Sequence, residues 1–302
     1  MNKLKIGTRN SPLALWQARE VESKLKALGF ETEIVPILSS GDKNLDQPLY
    51  ALGITGVFTK DLDIALLNKE IDIAVHSLKD VPTQLPNNIQ ISAVLERDFP
   101  EDVLVRNNDA EPLDLNVLKI ATSSLRRRAF WLKDFPDTEF TDIRGNVQTR
   151  LKKLNDGIAD ATIFSLAGIK RMNLDLHYEQ LPFLLQAPSQ GVVAIASLSD
   201  NAELNDSLKS ISHKETEICV TIEREFLRTL EGGCTAPIGA KAEMVDGKIR
   251  FLGRLCSLDG KNCIETDEIF GWNGSENFGE KLANKVLENG GKELMEEIKK
   301  SL

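Results

Sequence analysis

From Lys3 to about Ile91 the hydrophobic pattern switches repeatedly between strand-like runs and helical spacing. A short apolar run ends at Gly7. Ser11 then stands where an N-cap belongs and Pro12 at a first helical position, and Leu13, Trp16, Val21, Leu25 and Leu28 recur at helical intervals until Gly29. Glu31 to Leu38 reads as a strand, Phe58, Leu62, Ala65 and Leu66 as one face of a second helix, and Ile71 to Val75 as a buried strand. Strands and helices in alternation predict parallel-sheet α/β architecture.

The scheme returns further on. Lys119 to Ala121 is a strand, Thr122 to Ser124 a turn, and a helix runs to about Lys133; a strand over Glu139 to Ile143 and a helix to Asn155 follow. Asp72-Ile73-Ala74-Val75-His76-Ser77-Leu78 and Asp160-Ala161-Thr162-Ile163-Phe164-Ser165-Leu166 look like equivalent strand-to-turn passages of two similarly built domains. From Ser212 the pattern changes. Ser212 and Glu215 form a capping box for a helix to about Leu230, after which a meander begins. Asp246-Gly247 and Asp259-Gly260 are hairpin turns, the second setting Cys256 opposite Cys263. Phe278, Leu282, Val286, Leu294 and Ile298 give an amphipathic C-terminal segment broken at Gly290-Gly291, so this last part is a small α+β unit.

A chain of 302 residues suits two or three domains. Its net charge of −9 argues against nucleic acid held by a generally basic surface, and makes any local concentration of arginine more informative. No apolar run has the length of a signal peptide or a membrane span, which places the protein in the cytoplasm. The four cysteines lack metal-ligand spacing and the three histidines do not gather near them, so no metal is expected. In a reducing cytosol Cys256 and Cys263 are expected as neighbouring thiols.

Candidate chemistry gathers in a few places. Leu230 to Gly239 sets Cys234 beside Gly232-Gly233 and ahead of Pro237, a corner that shapes backbone around a sulfur; a free cysteine is otherwise a small buried hydrophobe. In Ile120 to Arg128 a strand runs through a hydroxyl-rich turn into a helix whose free N–H groups suit an anion, beside Arg126 and Arg127, which carry forked donors for carboxylate or phosphate. A solvated basic face is the plainer reading, and successive helix positions diverge too far for Arg126, Arg127 and Arg128 all to meet one ligand. Arg9, Arg144, Arg150 and Arg171 recur just after strands, where open α/β sheets collect ligands; together they suggest a polyanionic small molecule in a cleft between the first two domains. Lys79 and Asp80 follow the strand ending at Val75, placed either for proton handling or as a turn salt bridge before Pro82. Ser189-Gln190-Gly191 is either a loop into a strand or a place where backbone approaches a ligand.

Taken together, Thr8 to Gln17, His76 to Pro82, Thr122 to Arg127, Arg144 to Val147 and Leu230 to Gly239 closely resemble the porphobilinogen deaminase (hydroxymethylbilane synthase) family, in order over nearly the whole chain. The resemblance implies α/β architecture with two domains similar to type II periplasmic binding proteins, residues 1–95 with 192–211 and residues 96–191, and a small α+β domain over residues 212–302. It implies a monomer needing neither metal nor nucleotide. A dipyrromethane cofactor would be thioether-linked to Cys234; on it four porphobilinogen units are joined head to tail with loss of ammonia, and water releases linear hydroxymethylbilane. By motif matching, Asp80 is the catalytic carboxylate. Cys234, Lys79, Asp80, Ser123, Arg126, Arg127, Arg144 and Gln190 hold the cofactor, Arg9, Ser11, Gln17, Arg144, Arg150 and Arg171 bind porphobilinogen and the growing polypyrrole, and Ser124 is a supporting donor. Each porphobilinogen brings an acetate and a propionate, which repeated arginine forks would meet.

The chain departs from the family pattern twice. Gly53 to Phe58 lacks the usual loop lysine, although Lys60 is near, and Ala194 to Ser197 lacks the usual acidic residue after Gln190-Gly191, a change expected to be structural. Two other classes compete: a non-enzymatic anion binder, disfavoured by the absent export signal and the Cys234 corner, and a cysteine hydrolase or transferase, for which no histidine partner stands out.

Overall fold

The structure, a computed structural model, describes residues 3–38, 56–107, 114–230, 236–272 and 277–302. The loop expected ahead of Phe58 falls largely, and Cys234 wholly, outside the described residues. The strands are β1 (Leu4–Arg9), β2 (Thr32–Ile37), β3 (Ile73–Ser77), β4 (Ile89–Val94), β5 (Asp102–Arg106), β6 (Lys119–Ala121), β7 (Glu139–Thr141), β8 (Ala161–Ser165), β9 (Glu179–Gln180), β10 (Val193–Leu198), β11 (Ile238–Val245), β12 (Lys248–Cys256) and β13 (Cys263–Gly271). Helices are α1 (Pro12–Ala27), α2 (Lys60–Leu67), α3 (Leu125–Asp134), α4 (Val147–Asn155), α5 (Leu166–Arg171), α6 (Ala202–Lys209), α7 (Lys214–Thr229), α8 (Phe278–Val286) and α9 (Lys292–Ser301).

The chain divides into two compact units, Met1–Asn44 with Ile54–Asp98 and Gln190–Ile218, and Leu45–Gly53 with Phe99–Ser189 and Cys219–Leu302. The first holds a five-stranded sheet of order β2-β1-β3-β10-β4. The second holds one of order β7-β6-β8-β5-β9 and the three-stranded sheet β11-β12-β13. Each five-stranded sheet is parallel over three strands and then antiparallel, where β10 lies between β3 and β4 and β5 lies between β8 and β9. The sheets are therefore mixed, where strand–helix alternation predicted parallel ones: β10 and β5 are not fed by a local helical crossover, which is what the parallel arrangement requires.

The two similar passages occupy equivalent places. The Asp72 carboxylate accepts the Lys5 N–H at 2.7 Å while the Asp72 N–H donates to the Lys5 carbonyl at 3.0 Å, and Asp160 does the same with Lys119 at 2.8 and 3.0 Å. In both sheets this aspartate locks the start of the third strand onto the first and leaves the ends of β3 and β8 to run directly into site residues.

Ser11 caps α1 with Pro12 in the first turn, and the buried Ala18, Val21 and Leu25 pack against Ile6, Ile73, Val75 and Ile195. α3 buries Ala129, Phe130 and Trp131 against Leu104, Ile120 and Ile163. β10 is buried along nearly its whole length, which explains why Ala194 to Ser197 carries no acidic residue there. Gly191, at φ +85°, precedes it; a Cβ there would stand 2.2 Å from the Asp98 carbonyl oxygen, so the close approach this glycine permits is to Asp98.

Two local expectations change at α7 and in the meander. Ser212 does not cap the helix: it accepts the Val94 N–H and bonds Glu217, while His213 Nδ1 receives the Thr216 N–H in the capping place. Tertiary demand from β4 takes the better capping residue. Asp246 and Gly247, both at positive φ, close a two-residue hairpin with Val245 opposite Lys248. The second hairpin is wider. Ser257 N–H donates to Asn262 at 2.7 Å and Gly260, at φ +72°, nests against the backbone of Ala129 and Leu132 on α3. Cys256 does pair with Cys263 across the ladder, but as a disulfide, correcting the expectation of free thiols. At directly opposed ladder positions the two side chains stand within bonding reach. α8 and α9 meet at a kink where Asn289 and Gly290 leave helical geometry, as the paired glycines predicted. Among the described residues no helix is long and apolar enough to cross a membrane.

Candidate active site

In the first unit the site residues follow β1 and β3. Arg9 ends β1, and its guanidinium lies 4.3 Å from the centroid of the Phe58 ring. The Ser11 hydroxyl is used as the α1 cap, accepting the Ala14 N–H at 3.3 Å. Gln17, buried on α1, donates to Ser77 Oγ at 2.8 Å and so ties the helix to the end of β3. Immediately after Ser77 a single 3₁₀ turn, Leu78–Asp80, buries Leu78 and leaves Lys79 and Asp80 half-buried. The turn is pinned by the Leu78 N–H to the Val192 carbonyl at 2.9 Å, and Lys79 Nζ donates to Gln190 Oε1 at 3.1 Å. Lys79 and Gln190, distant in sequence, are therefore partners. Burial, with Arg9 adding repulsion, holds the neighbouring His76 down to about 4, so it is neutral at physiological pH and unsuited to shuttle protons there.

In the second unit the arginines are not a solvated face. Arg126 and Arg127 are each 7% exposed and both reach one fully buried carboxylate, Asp102, through Nη2 at 2.7 Å. Arg126 Nη1 also donates to the Leu185 carbonyl at 2.6 Å and Arg127 Nη1 to the Ile163 carbonyl at 2.8 Å. Arg150, one turn into α4, donates to the same Ile163 carbonyl at 2.8 Å and lies 4.4 Å from the centroid of Phe164. Arg128 turns away to Thr122 and the partly exposed Asp142, as helical geometry predicted. Ser124 caps α3, and Ser123 bridges to both backbone groups of Ile143, holding the turn rather than projecting from it. Arg144 follows β7 ahead of Gly145, at φ +118°, and the Asn146 cap of α4; Arg171 ends α5, and both are at least nine-tenths buried.

Burial pushes the Arg126 guanidinium below its ordinary range while Asp102 opposes the shift, and burial pushes Arg150 to about 9, with Arg127 adding repulsion. Among the described residues, Arg126 and Arg127 share the Asp102 carboxylate and Arg150 joins Arg127 on the Ile163 carbonyl, a concentration of positive charge suited to an anionic ligand. Arg127 Nε and Arg150 Nε are buried donors without a partner. Asp102 escaped the sequence reading. Its signal was weak: Asp102, next to Glu101, heads the apolar Val103-Leu104-Val105, where a charge is out of place unless a cation is buried with it. Of the other residues singled out in sequence, Cys234 lies outside the described residues.

A protein-family model described as "Porphobilinogen deaminase, dipyromethane cofactor binding domain" matches residues 4–206, and one described as "Porphobilinogen deaminase, C-terminal domain" matches residues 217–288. The chain belongs to the porphobilinogen deaminase family. It is 47% identical over 242 residues to a probable porphobilinogen deaminase of Methanocaldococcus jannaschii, covering 79% of this chain and 82% of that protein. Among solved structures it is similar to the probable amino-acid ABC transporter extracellular-binding protein ytmK of Bacillus subtilis, at 16% identity and a TM-score of 0.44 over 70% of this chain and 90% of that one. The L-cystine solute receptor of Neisseria gonorrhoeae is similar at 13% identity and a TM-score of 0.41, over 74% and 90% of the two chains.

As a member of the porphobilinogen deaminase family the protein is an enzyme of tetrapyrrole synthesis, with hydroxymethylbilane synthase activity, porphobilinogen as substrate and a dipyrromethane cofactor. The donor set fits that cofactor. A dipyrromethane bearing acetate and propionate groups presents several carboxylates, which the guanidiniums of Arg126, Arg127 and Arg150, with two unpartnered Nε–H donors among them, are suited to meet.

Proposed function

We propose that Asp80 is the catalytic carboxylate of this hydroxymethylbilane synthase and that the buried arginine cluster on Asp102 holds the carboxylates of the cofactor and growing chain. The observation that carries the reading is that, among the described residues, Arg126 and Arg127 share the one buried carboxylate of Asp102 while Arg150 joins Arg127 on the Ile163 carbonyl. Lys79, Asp80, Arg126, Arg127, Arg144 and Gln190 would hold the dipyrromethane, with Cys234 as its thioether anchor, while Ser123, first matched to the cofactor, is committed to Ile143. Arg9, Ser11, Gln17, Arg144, Arg150 and Arg171 would bind the substrate and the lengthening polypyrrole. When bound, the cofactor supplies a pyrrole with a free α-carbon as the starting point for chain growth.

The protein's own groups divide the remaining work. Arginine forks match carboxylates two donors at a time and fix the orientation of each ring. Asp80, half-buried after a pinned turn, offers a counter-charge to the cation that porphobilinogen becomes on losing ammonia. It also offers a base for the proton released as each carbon–carbon bond closes. Ser123 and Ser124, committed to Ile143 and to the α3 cap, act by holding the turn that presents Arg126 and Arg127. The separateness of the β11-β12-β13 sheet from the five-stranded one supports reading residues 212–302 as a domain of their own, although residues 212–218 cluster with the first unit. We further infer a cytoplasmic monomer that binds no nucleic acid; the last is supported by the acidic net charge of −9 and by the burial of Arg126, Arg127, Arg144 and Arg171.

Turnover tests the assignment. Wild type given porphobilinogen should release ammonia and hydroxymethylbilane, whereas Asp80→Ala should carry the cofactor mass yet elongate at least about a hundredfold more slowly, the usual loss for a general acid–base group. Wild-type turnover in Asp80→Ala would remove Asp80 from the chemistry.

A further inference from the structure

Glu223 is a fully buried carboxylate in the middle of α7, outside every group assigned above. Its two oxygens are shared between two pieces of backbone. Oε2 accepts the Ser189 N–H and Oε1 the Ala242 N–H, both at 2.7 Å. The pieces also touch directly, through the Ala240 N–H to the Gln186 carbonyl at 3.2 Å. At the next level along β11, the Ser189 and Ala242 N–H groups are both donors and cannot bond each other. A carboxylate, which offers acceptors only, resolves that mismatch.

What the bridge joins is specific. Ser189 is a non-glycine residue at φ +65°, in the left-handed region, and it immediately precedes Gln190, the partner of Lys79. Ala242 lies in β11, the first strand after Cys234 in the sequence. Resting on the assignment of Gln190 and Cys234 made above, we propose that Glu223 is a positioning residue for the reaction: it sets the chain that ends at Ser189, the residue before Gln190, in register with β11, the first strand after Cys234 in the sequence. It acts through those backbones and touches neither substrate nor cofactor. Elongation, which must reposition a chain of growing length against fixed donors, depends on that register.

The test is Glu223→Gln beside Phe226→Leu, the latter a purely packing change three residues on in the same helix, where Phe226 is buried against Phe251. Glutamine keeps one acceptor oxygen but turns an NH₂ toward the other N–H, leaving one buried donor unsatisfied. Three readouts are taken on each purified protein: intact mass for cofactor content, the distribution of enzyme-bound intermediates after limiting porphobilinogen, and the KM and kcat for porphobilinogen. For Glu223→Gln we expect cofactor to be present, KM raised about tenfold and intermediates accumulating at early stages, one unsatisfied buried hydrogen bond corresponding to roughly a factor of ten. Phe226→Leu should lower thermal stability and leave the intermediate distribution as in wild type. If Glu223→Gln does not fold, Glu223→Asp, with both acceptors on a shorter stem, should show the same change at about threefold. Wild-type KM and intermediate distribution in whichever glutamate variant folds would overturn the proposal. Should wild type itself carry no cofactor mass, the assignment of Cys234 would fall first, a different result from either variant outcome.

Discussion

Asp102→Asn removes one charge and hardly any volume, and the structure sets a large penalty on it. The Asp102 carboxylate accepts from Arg126 and Arg127 at 2.7 Å each, with no exposure of its own side chain and under a tenth for either partner. At an effective dielectric of about 20, each pair at roughly 4 Å between charges contributes about 4 kcal/mol of attraction, offset in part by the cost of burying the ions. Asparagine can accept from one guanidinium only and presents its NH₂ to the other, leaving Arg126, Arg127 and Arg150 repelling one another. Removing one member of a buried pair costs about 3–5 kcal/mol. For a unit of this size that lowers the unfolding midpoint on the order of 10 °C. Thermal and urea unfolding of Asp102→Asn would be measured beside Asp267→Asn, whose partner Arg250 lies on the exposed face of the β12–β13 hairpin and whose loss should leave the midpoint in place. The arginines would also lose their orientation, so cofactor content by mass should fall in Asp102→Asn alone. If both variants unfold like wild type and carry full cofactor, the buried cluster does not organise the site.

Further consequences follow from His76 and from the hairpin disulfide. With a folded value of about 4 against an ordinary 6.5, neutral His76 is favoured by the fold; its contribution is complete above pH 6.5 and is lost as pH falls toward 4. The urea stability of wild type should therefore drop more steeply over that window than that of His76→Gln, by up to roughly 3 kcal/mol, and parallel curves would refute it. Closing a loop between residues seven apart, the Cys256–Cys263 disulfide should stabilise by about 2 kcal/mol, so reductant should lower the melting temperature of wild type but not of Cys263→Ser. Alkylation of both cysteines in the native, unreduced protein would show the bond to be absent.

What could be read from the chain was local or repeated. Ser11-Pro12 marked a helix start because capping and proline geometry act within one turn. The likeness of Asp72–Leu78 to Asp160–Leu166 survived because both aspartates answer the same need, holding the third strand onto the backbone of Lys5 or Lys119. The positions of Lys79, Asp80, Arg126 and Arg127 after strands followed from where α/β sheets place ligands. The rest depended on distant partners. Asp102 meets its arginines 24 and 25 positions on, Lys79 meets Gln190 across 111, and no local period signals either pairing. Ser212 had the composition of a cap but was drawn to Val94, 118 positions away, leaving His213 to cap α7. The run after Gly191 read as a strand while β5 went unread, and the antiparallel direction of both is set by where the chain returns from.

The central claim is a covalent dipyrromethane primer on Cys234, and intact mass of the purified protein beside Cys234→Ser, with no substrate added, tests it most directly. The account predicts that wild type exceeds its chain mass by two linked pyrrole units and that Cys234→Ser does not. A bare chain mass for wild type, persisting after incubation with hydroxymethylbilane, would contradict it.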